Sequence, residues 1–297
     1  MADKGAVSGR ILRGVGGFYY VAAGGETIEA KPRGIFRKTG FKPLAGDFCR
    51  LSINEDGKGI IESVGERRNF FLRPPVANLD RICFVVSTCE PAPNFQALDG
   101  LIAVAERKKT EPFIIITKTD LKPGGEILEL YKNAGFETYA ADYRNPESIA
   151  AIKSALSGKV SAFCGNSGAG KSTLLNALDA SLGLATAGIS RKLGRGKHTT
   201  REARLYPFEG GYIADTPGFS RIEPGQDELI LKDELQYCFR EFAPYIGKCR
   251  FSGCLHKAGK GCAVLGALEA GEISSSRYKS YFAMLCESER IKAWERR

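Results

Sequence analysis

Short runs of alternating apolar and polar residues, cut by glycine pairs, fill the first part of the chain. Arg10 to Arg13, Phe18 to Ala22 and Thr27 to Ala30 are separated by Gly14, Gly16–Gly17 and Gly24–Gly25. Asp47 to Ile53 and Gly59 to Val64 flank Asn54-Glu55-Asp56-Gly57-Lys58, a hairpin signal with Asp-Gly in its turn. Four or five strands in about 70 residues suit a small closed barrel, because closure removes exposed strand edges. An all-β barrel of the oligonucleotide-binding (OB) type is the first choice, and an SH3-like barrel the second. From Pro74 the pattern changes to strands buried on both faces, Arg81 to Ser87 and Phe113 to Thr117, with a helical spacing of Leu98, Leu101, Ile102 and Ala105 between them. Helices are predicted over Ile127 to Asn133 and Pro146 to Leu156, and strands over Glu137 to Ala141, Val160 to Cys164 and Gly211 to Ala214. Strands alternating with helices predict a parallel α/β sheet. After Pro224 the pattern is mostly α, with helices predicted over Asp227 to Ala243 and Ser276 to Arg296.

The implied division is 1–72, 73–222 and 223–297, and a length of 297 residues supports two or three domains. A composition of 43% hydrophobic and 26% charged residues excludes a disordered chain. No apolar run approaches the ~20 residues of a membrane helix, so no membrane partner is expected. Met1 to Arg10 lacks the apolar core of a secretory signal. Nine cysteines, an odd number scattered through apolar runs, point to a reducing, cytoplasmic setting. The net charge of +9 permits a nucleic-acid partner. The excess lies in the first two divisions, +4 in each against +1 in the last.

Gly165-Asn166-Ser167-Gly168-Ala169-Gly170-Lys171-Ser172 fits G-x-x-x-x-G-K-[ST], and it lies between an apolar strand and a helical run from Thr173. Glycines turn the loop's N–H groups toward phosphate, and the helix N-terminus adds a favourable dipole. Lys171 is placed to reach the β- and γ-phosphates and Ser172 to ligate Mg²⁺. Asp215-Thr216-Pro217-Gly218 ends a strand 44 residues after Lys171. Asp215 there suits the metal side of the nucleotide, and the Gly218 N–H suits the γ-phosphate. A P-loop ATPase or kinase on a small substrate would share these features.

Thr117-Lys118-Thr119-Asp120 ends another buried strand, where ligands of open α/β sheets bind. It resembles the guanine-reading N/T-K-x-D element of GTPases. A carboxylate at Asp120 accepts from both the ring N–H and the exocyclic amine of guanine, and the Lys118 stem covers the base. Thr117 replaces the commoner Asn, removing a side-chain amide that braces the loop. This element precedes the phosphate loop by about 45 residues, the reverse of the regular order, so the domain reads as a circular permutation. Asp215 to Gly218 then leads directly into the last region.

A barrel, a permuted P-loop GTPase and a Cys/His-rich helical tail together resemble the ribosome small subunit-dependent GTPase A family of bacteria. The resemblance implies an OB barrel and GTP hydrolysis to GDP, stimulated by the small ribosomal subunit. It further implies a role in late maturation of that subunit, with rRNA contacts from the outer domains. A single chain of this kind is expected to act as a monomer. An RNA-binding protein with a degenerate nucleotide fold is the non-catalytic alternative.

Residues 191–204 hold six basic side chains against Glu202 and include His198-Thr199-Thr200. One of the two threonines is expected to complete the Mg²⁺ shell, and the basic segment to order on rRNA phosphates. Phe219 stands where many GTPases carry a water-orienting Gln, which predicts slow intrinsic hydrolysis. His198 is the candidate for the missing catalytic group. Cys249, Cys254, His256 and Cys262 lie within 14 residues and match a closed, structural Zn²⁺ site. The six other cysteines, Cys49, Cys83, Cys89, Cys164, Cys238 and Cys286, are expected in the core.

Overall fold

The computed structural model describes residues 6–72, 74–182, 203–215 and 229–290. The first region contains β1 (Val7–Val15), β2 (Phe18–Ala23), β3 (Glu26–Pro32), α1 (Gly34–Thr39), β4 (Phe48–Ile53) and β5 (Gly59–Val64). A hairpin of β6 (Phe70–Leu72) and β7 (Pro75–Ala77) follows. Next come β8 (Arg81–Ser87), α2 (Phe95–Arg107), β9 (Glu111–Thr117), α3 (Gly125–Asn133), β10 (Glu137–Ala140), α4 (Pro146–Leu156), β11 (Val160–Cys164) and α5 (Lys171–Leu178). β12 (Arg204–Phe208), β13 (Gly211–Asp215), α6 (Lys232–Leu235), α7 (Ala263–Glu269) and α8 (Ser275–Ser288) complete the order.

The chain forms two compact units, one built on β1–β7 with β11–β13, the other on β8–β10, α2, α3, α5 and α6–α8. In the first, the strands run β1-β2-β3-β5-β4, and β4 pairs back to β1 to close a five-stranded barrel. Only β3 and β5 are parallel. Five strands, closed, with a helix between the third and fourth, make this the OB-type barrel rather than the SH3-like one. The pleat sends Ile11, Tyr19, Val21, Ala30, Cys49, Leu51 and Ile61 inward. The wall is so close at Gly9 that a Cβ there would lie 2.6 Å from Val21 Cγ1. Beyond the barrel, β12 pairs antiparallel with both β1 and β13, and β13 runs parallel to β11. The register Ala162↔Ala214 sets Asp215 beside the exit of β11.

In the second unit β10 runs parallel to β9, which lies beside β8. β8 and β9 are buried along almost their whole length, as the unbroken apolar runs require. The expected helix over Asp227 to Ala243 is not continuous. Among its described residues only α6 is α-helical, and two 3₁₀ turns follow, Gln236–Cys238 and Arg240–Phe242, separated by extended Phe239. Tertiary packing overrides the local pattern: Phe239 and Phe242 both meet the ring of Tyr281, at 5.3 and 4.8 Å. The Arg240 side chain is drawn to Glu106 and Glu111. α1, the β6–β7 hairpin, β12 and α7 are elements that hydrophobic periodicity did not predict.

Candidate nucleotide site and metal centre

The phosphate loop leaves β11 at Cys164 and enters α5 at Lys171. Two glycines are dictated by geometry. A Cβ on Gly165 would lie 2.4 Å from the Val85 carbonyl oxygen, and Gly170 caps α5 with φ of 86°. Lys171 Nζ donates to the carbonyl oxygens of Gly165 and Asn166, the latter at 3.0 Å. Burial pulls the Lys171 ammonium below its usual range, an effect Cys164 partly offsets. Asn166, Ser167, Gly168 and Thr173 are exposed, Ser172 is part-buried, and Ala169 is buried.

The second element is joined to the first by a side chain. Thr117, fully buried at the end of β9, donates from Oγ1 to the Ala169 carbonyl at 2.7 Å. The bracing expected to be lost with Asn is therefore supplied by a hydroxyl. Lys118 is left-handed, with φ of 59°; its carbonyl accepts from Thr88 Oγ1 at 2.8 Å and its Nζ donates to the Glu90 carbonyl. Thr119 Oγ1 donates to the Ala141 carbonyl at 3.2 Å. Asp120 is exposed, and its carboxylate has no hydrogen-bond partner among the described residues, leaving both oxygens free to accept.

Sequence reasoning missed the turn after β10. Ala141 there meets Thr119, and the Tyr143 hydroxyl is pushed up to about 12 by burial and then by the charge of Asp120. Its position at the carboxyl end of a parallel strand is the signal that could have found it. Asp215 ends β13 as expected. Gly218, Phe219, His198, Thr199 and Thr200 lie outside the described residues, as does most of the 191–204 segment.

Four side chains converge in the last region. The donor atoms of Cys249, Cys254, His256 and Cys262 all lie within 4.8 Å of one another. His256 Nδ1 is 3.5 Å from Cys249 Sγ and 3.4 Å from Cys262 Sγ, and the two sulfurs are 3.9 Å apart. A tetrahedron of Zn–S bonds near 2.3 Å has edges of about 3.8 Å, so three thiols and one imidazole fit a closed zinc site. Backbone N–H groups of His256, Ala263 and Leu265 point at the three sulfurs. The other imidazole nitrogen, Nε2, is 3.0 Å from Gln236 Oε1. With Nδ1 facing the sulfurs, Nε2–H donates to Gln236. Of the remaining cysteines, Cys49, Cys83, Cys164 and Cys238 are buried as expected, whereas Cys89 and Cys286 are only part-buried.

The outer face of the barrel unit carries cations laid on rings. Arg204, Arg13, Tyr20 and Glu29 are successive cross-strand partners on β12, β1, β2 and β3. The Arg13 guanidinium lies 4.1 Å from the Tyr20 ring, Arg204 4.6 Å from Tyr206, and Lys31 Nζ 4.8 Å from Phe18. Such interleaving suits an RNA backbone with stacked bases. No described helix is long and apolar enough to cross a membrane.

A phosphate loop hydrogen-bonded to a T-K-x-D turn that precedes it in the chain, with an OB barrel earlier in the sequence, has the motif order of a circularly permuted P-loop GTPase. The comparisons agree. The RsgA GTPase family matches residues 64–224 and the RsgA N-terminal domain residues 8–61. The chain belongs to the RsgA GTPase family. It is 40% identical over 285 residues to the small ribosomal subunit biogenesis GTPase RsgA of Caldanaerobacter subterraneus subsp. tengcongensis, covering 95% of each chain. With the protein of the same name from Geobacillus thermodenitrificans it shares 41% over 285 residues, 94% of this chain and 96% of that one. YjeQ from Thermotoga maritima superposes with a TM-score of 0.81 at 31% identity, over 97% of this chain and all of that one (100%). YloQ, described as a circularly permuted GTPase, gives 0.80 at 33%, over 98% of each.

Proposed function

We propose that the protein hydrolyses GTP while bound to the small ribosomal subunit, and that the reaction times a late step of that subunit's biogenesis in the cytoplasm. The observation that carries this reading is identity of about 40% along 95% of the chain with relatives named for that role. The Thr117–Ala169 hydrogen bond, which joins the Thr117–Asp120 turn to the phosphate loop, supports reading that turn as the guanine site.

Asp120 accepts the two guanine N–H donors, Lys118 covers the base, and Thr119 holds the neighbouring turn. The N–H groups of Gly165 to Thr173 surround the phosphates, and Lys171 turns from the loop carbonyls to the β- and γ-oxygens. Ser172, Asp215 and one of Thr199 or Thr200 hold Mg²⁺, which neutralises phosphate charge when bound. Gly218 donates to the γ-phosphate. Water attacks the γ-phosphorus, its bond to the β–γ bridging oxygen breaks, and GDP and phosphate leave. Phe219 cannot orient that water, so turnover is slow alone and rises on the subunit, with His198 as the candidate group. Cys249, Cys254, His256 and Cys262 hold one structural Zn²⁺ that fixes their domain. The domains are taken as 1–72, 73–222 and 223–297, the outer two contact rRNA, and the chain acts as a monomer.

The test is GTP hydrolysis with and without purified small subunits at two salt concentrations. A rise of at least tenfold on adding subunits, diminished at high salt, is the expected result. No rise, or equal binding of ATP and GTP, overturns the reading.

A further inference from the structure

A cavity lies within the barrel unit, among β1, β4, β11 and β13. It has a volume of about 410 Å³, within the usual range for small-ligand sites. Arg10 of β1 and Phe48 of β4 form one wall; Asp80, Val160 of β11, and Gly211 and Tyr212 of β13 form the other.

Arg10 is the anomaly in this cavity. It is part-buried, and its guanidinium has no hydrogen-bond acceptor among the described residues. A desolvated charge without a partner is costly, and the Arg10 pKa is drawn below its ordinary value by burial, against a smaller opposing pull from Tyr212 and Asp80. Asp80 does not neutralise it, because its oxygens are taken by Arg68 at 2.7 Å and the Val160 N–H at 2.8 Å. The guanidinium instead lies 4.3 Å from the centre of the Phe48 ring and 5.5 Å from that of Tyr212. Phe48 is 51% exposed, a large ring presented to solvent next to a guanidinium that has ring contacts but no hydrogen-bond acceptor among the described residues. A free guanidinium fork matches a phosphate, and an adjacent open ring face stacks a base.

We propose that this cavity receives one unpaired nucleotide of an RNA strand, its phosphate on Arg10 and its base against Phe48. The assignment rests on the reading of the protein as an RNA-contacting GTPase and adds a site for that RNA.

The probe is a fluorescein-labelled hexauridylate, titrated with the full-length protein and followed by anisotropy at several salt concentrations. Arg10→Met is expected to weaken binding about tenfold and to lower the salt slope by about 0.7, the value for one phosphate contact on a single strand. Phe48→Ala is expected to weaken it about fivefold with the slope unchanged. Lys132→Met, which removes a charge from α3, should change affinity less than twofold. Should Arg10→Met fail to fold, Phe48→Ala carries the test, since Phe48 is exposed. Wild-type protein that does not bind the hexamer, or Arg10→Met and Phe48→Ala proteins that bind as wild type, overturn the proposal. Uridine monophosphate and inorganic phosphate serve as competitors. A free nucleotide binding as tightly as the hexamer, or phosphate competing as well as the nucleotide, also overturns it. Subunit-stimulated GTP turnover is measured on the same samples. If the wild type is stimulated but Arg10→Met matches it in both assays, the site alone is wrong; a wild type that is not stimulated removes the ribosomal reading and this site together.

Discussion

The hydroxyl of Thr117 and the carbonyl of Ala169 are joined by a buried hydrogen bond of 2.7 Å, across 52 residues of chain. It fastens the turn proposed to read guanine to the phosphate loop, so on that reading the spacing between the two elements is set before nucleotide arrives. Thr117→Val keeps the shape and removes the donor, leaving the Ala169 carbonyl unpaired. GDP affinity should fall about fivefold, equivalent to about 1 kcal/mol, with the preference for guanine over adenine retained. Calorimetric titration with GDP and ADP checks both parts.

Asp120 should govern the preference itself. Asp120→Asn replaces one accepting oxygen by a donor that faces the donors of guanine. Loss of two charge-assisted hydrogen bonds predicts a fall in GTP affinity on the order of a hundredfold or more. Xanthosine triphosphate, whose base offers a carbonyl in place of the exocyclic amine, should gain. Competition among GTP, ATP and XTP for a fluorescent nucleotide reads the outcome.

Lys171, on the proposed reading, should make nucleotide binding pH-dependent. Burial lowers its pKa in the free protein, whereas a bound triphosphate favours the charged form and raises it again. Between those two values binding takes up a proton, so affinity declines as pH rises through the depressed value, at up to tenfold per unit. Below that value affinity is flat. The decline should begin below pH 10.5, the ordinary lysine value, and be absent in Lys171→Ala, which binds weakly at every pH.

Arg277 and Asp99 pair at 2.5 Å, both essentially inaccessible to solvent. Arg277 is also bound to Glu241 at 2.7 Å, and Tyr131 donates to Asp99 at 3.0 Å. This group ties α8 to α2 and α3. Asp99→Ala leaves a buried guanidinium short of a partner and should destabilise the fold by about 3–5 kcal/mol. The triple replacement Asp99→Leu, Glu241→Leu and Arg277→Met, which leaves no buried charge unpaired, should recover most of the loss. Thermal unfolding of the metal-loaded protein distinguishes the two.

Gln236 should tune the metal centre without being a ligand. Its Oε1 holds the His256 Nε2–H, which presents Nδ1 to the three sulfurs. Gln236→Leu should lower zinc affinity about 10–100-fold, measured by competition with a chromogenic chelator. Removal of the metal by a stronger chelator should lower the unfolding temperature of the wild type.

Much of the site was legible because its chemistry is local. Eight consecutive residues fit the phosphate-loop pattern, four more run on from the last residue of β9, and four Cys/His donors fall within 14 positions. Tyr143 and Gln236 were not legible. Each meets its neighbour, Asp120 or His256, across a separation in sequence, Tyr143 electrostatically and Gln236 by a hydrogen bond, and neither belongs to a spacing pattern. The region from Asp227 to Ala243 misled for the same reason. Its apolar residues have helical spacing, but their packing against Tyr281 and the charges drawing on Arg240 break the helix into short turns.

The sequence by itself determined the barrel strands, the permuted order of nucleotide motifs and the metal donor set, since each depends on alternation, backbone freedom or ligand type within a short window. Only the tertiary structure decided that a threonine could brace the loop in place of an asparagine. It alone revealed that Arg10 is left without an acceptor and that a buried arginine joins α8 to α2. Hydrogen bonds and desolvation depend on which groups meet in space, and those meetings span dozens to more than a hundred residues of chain.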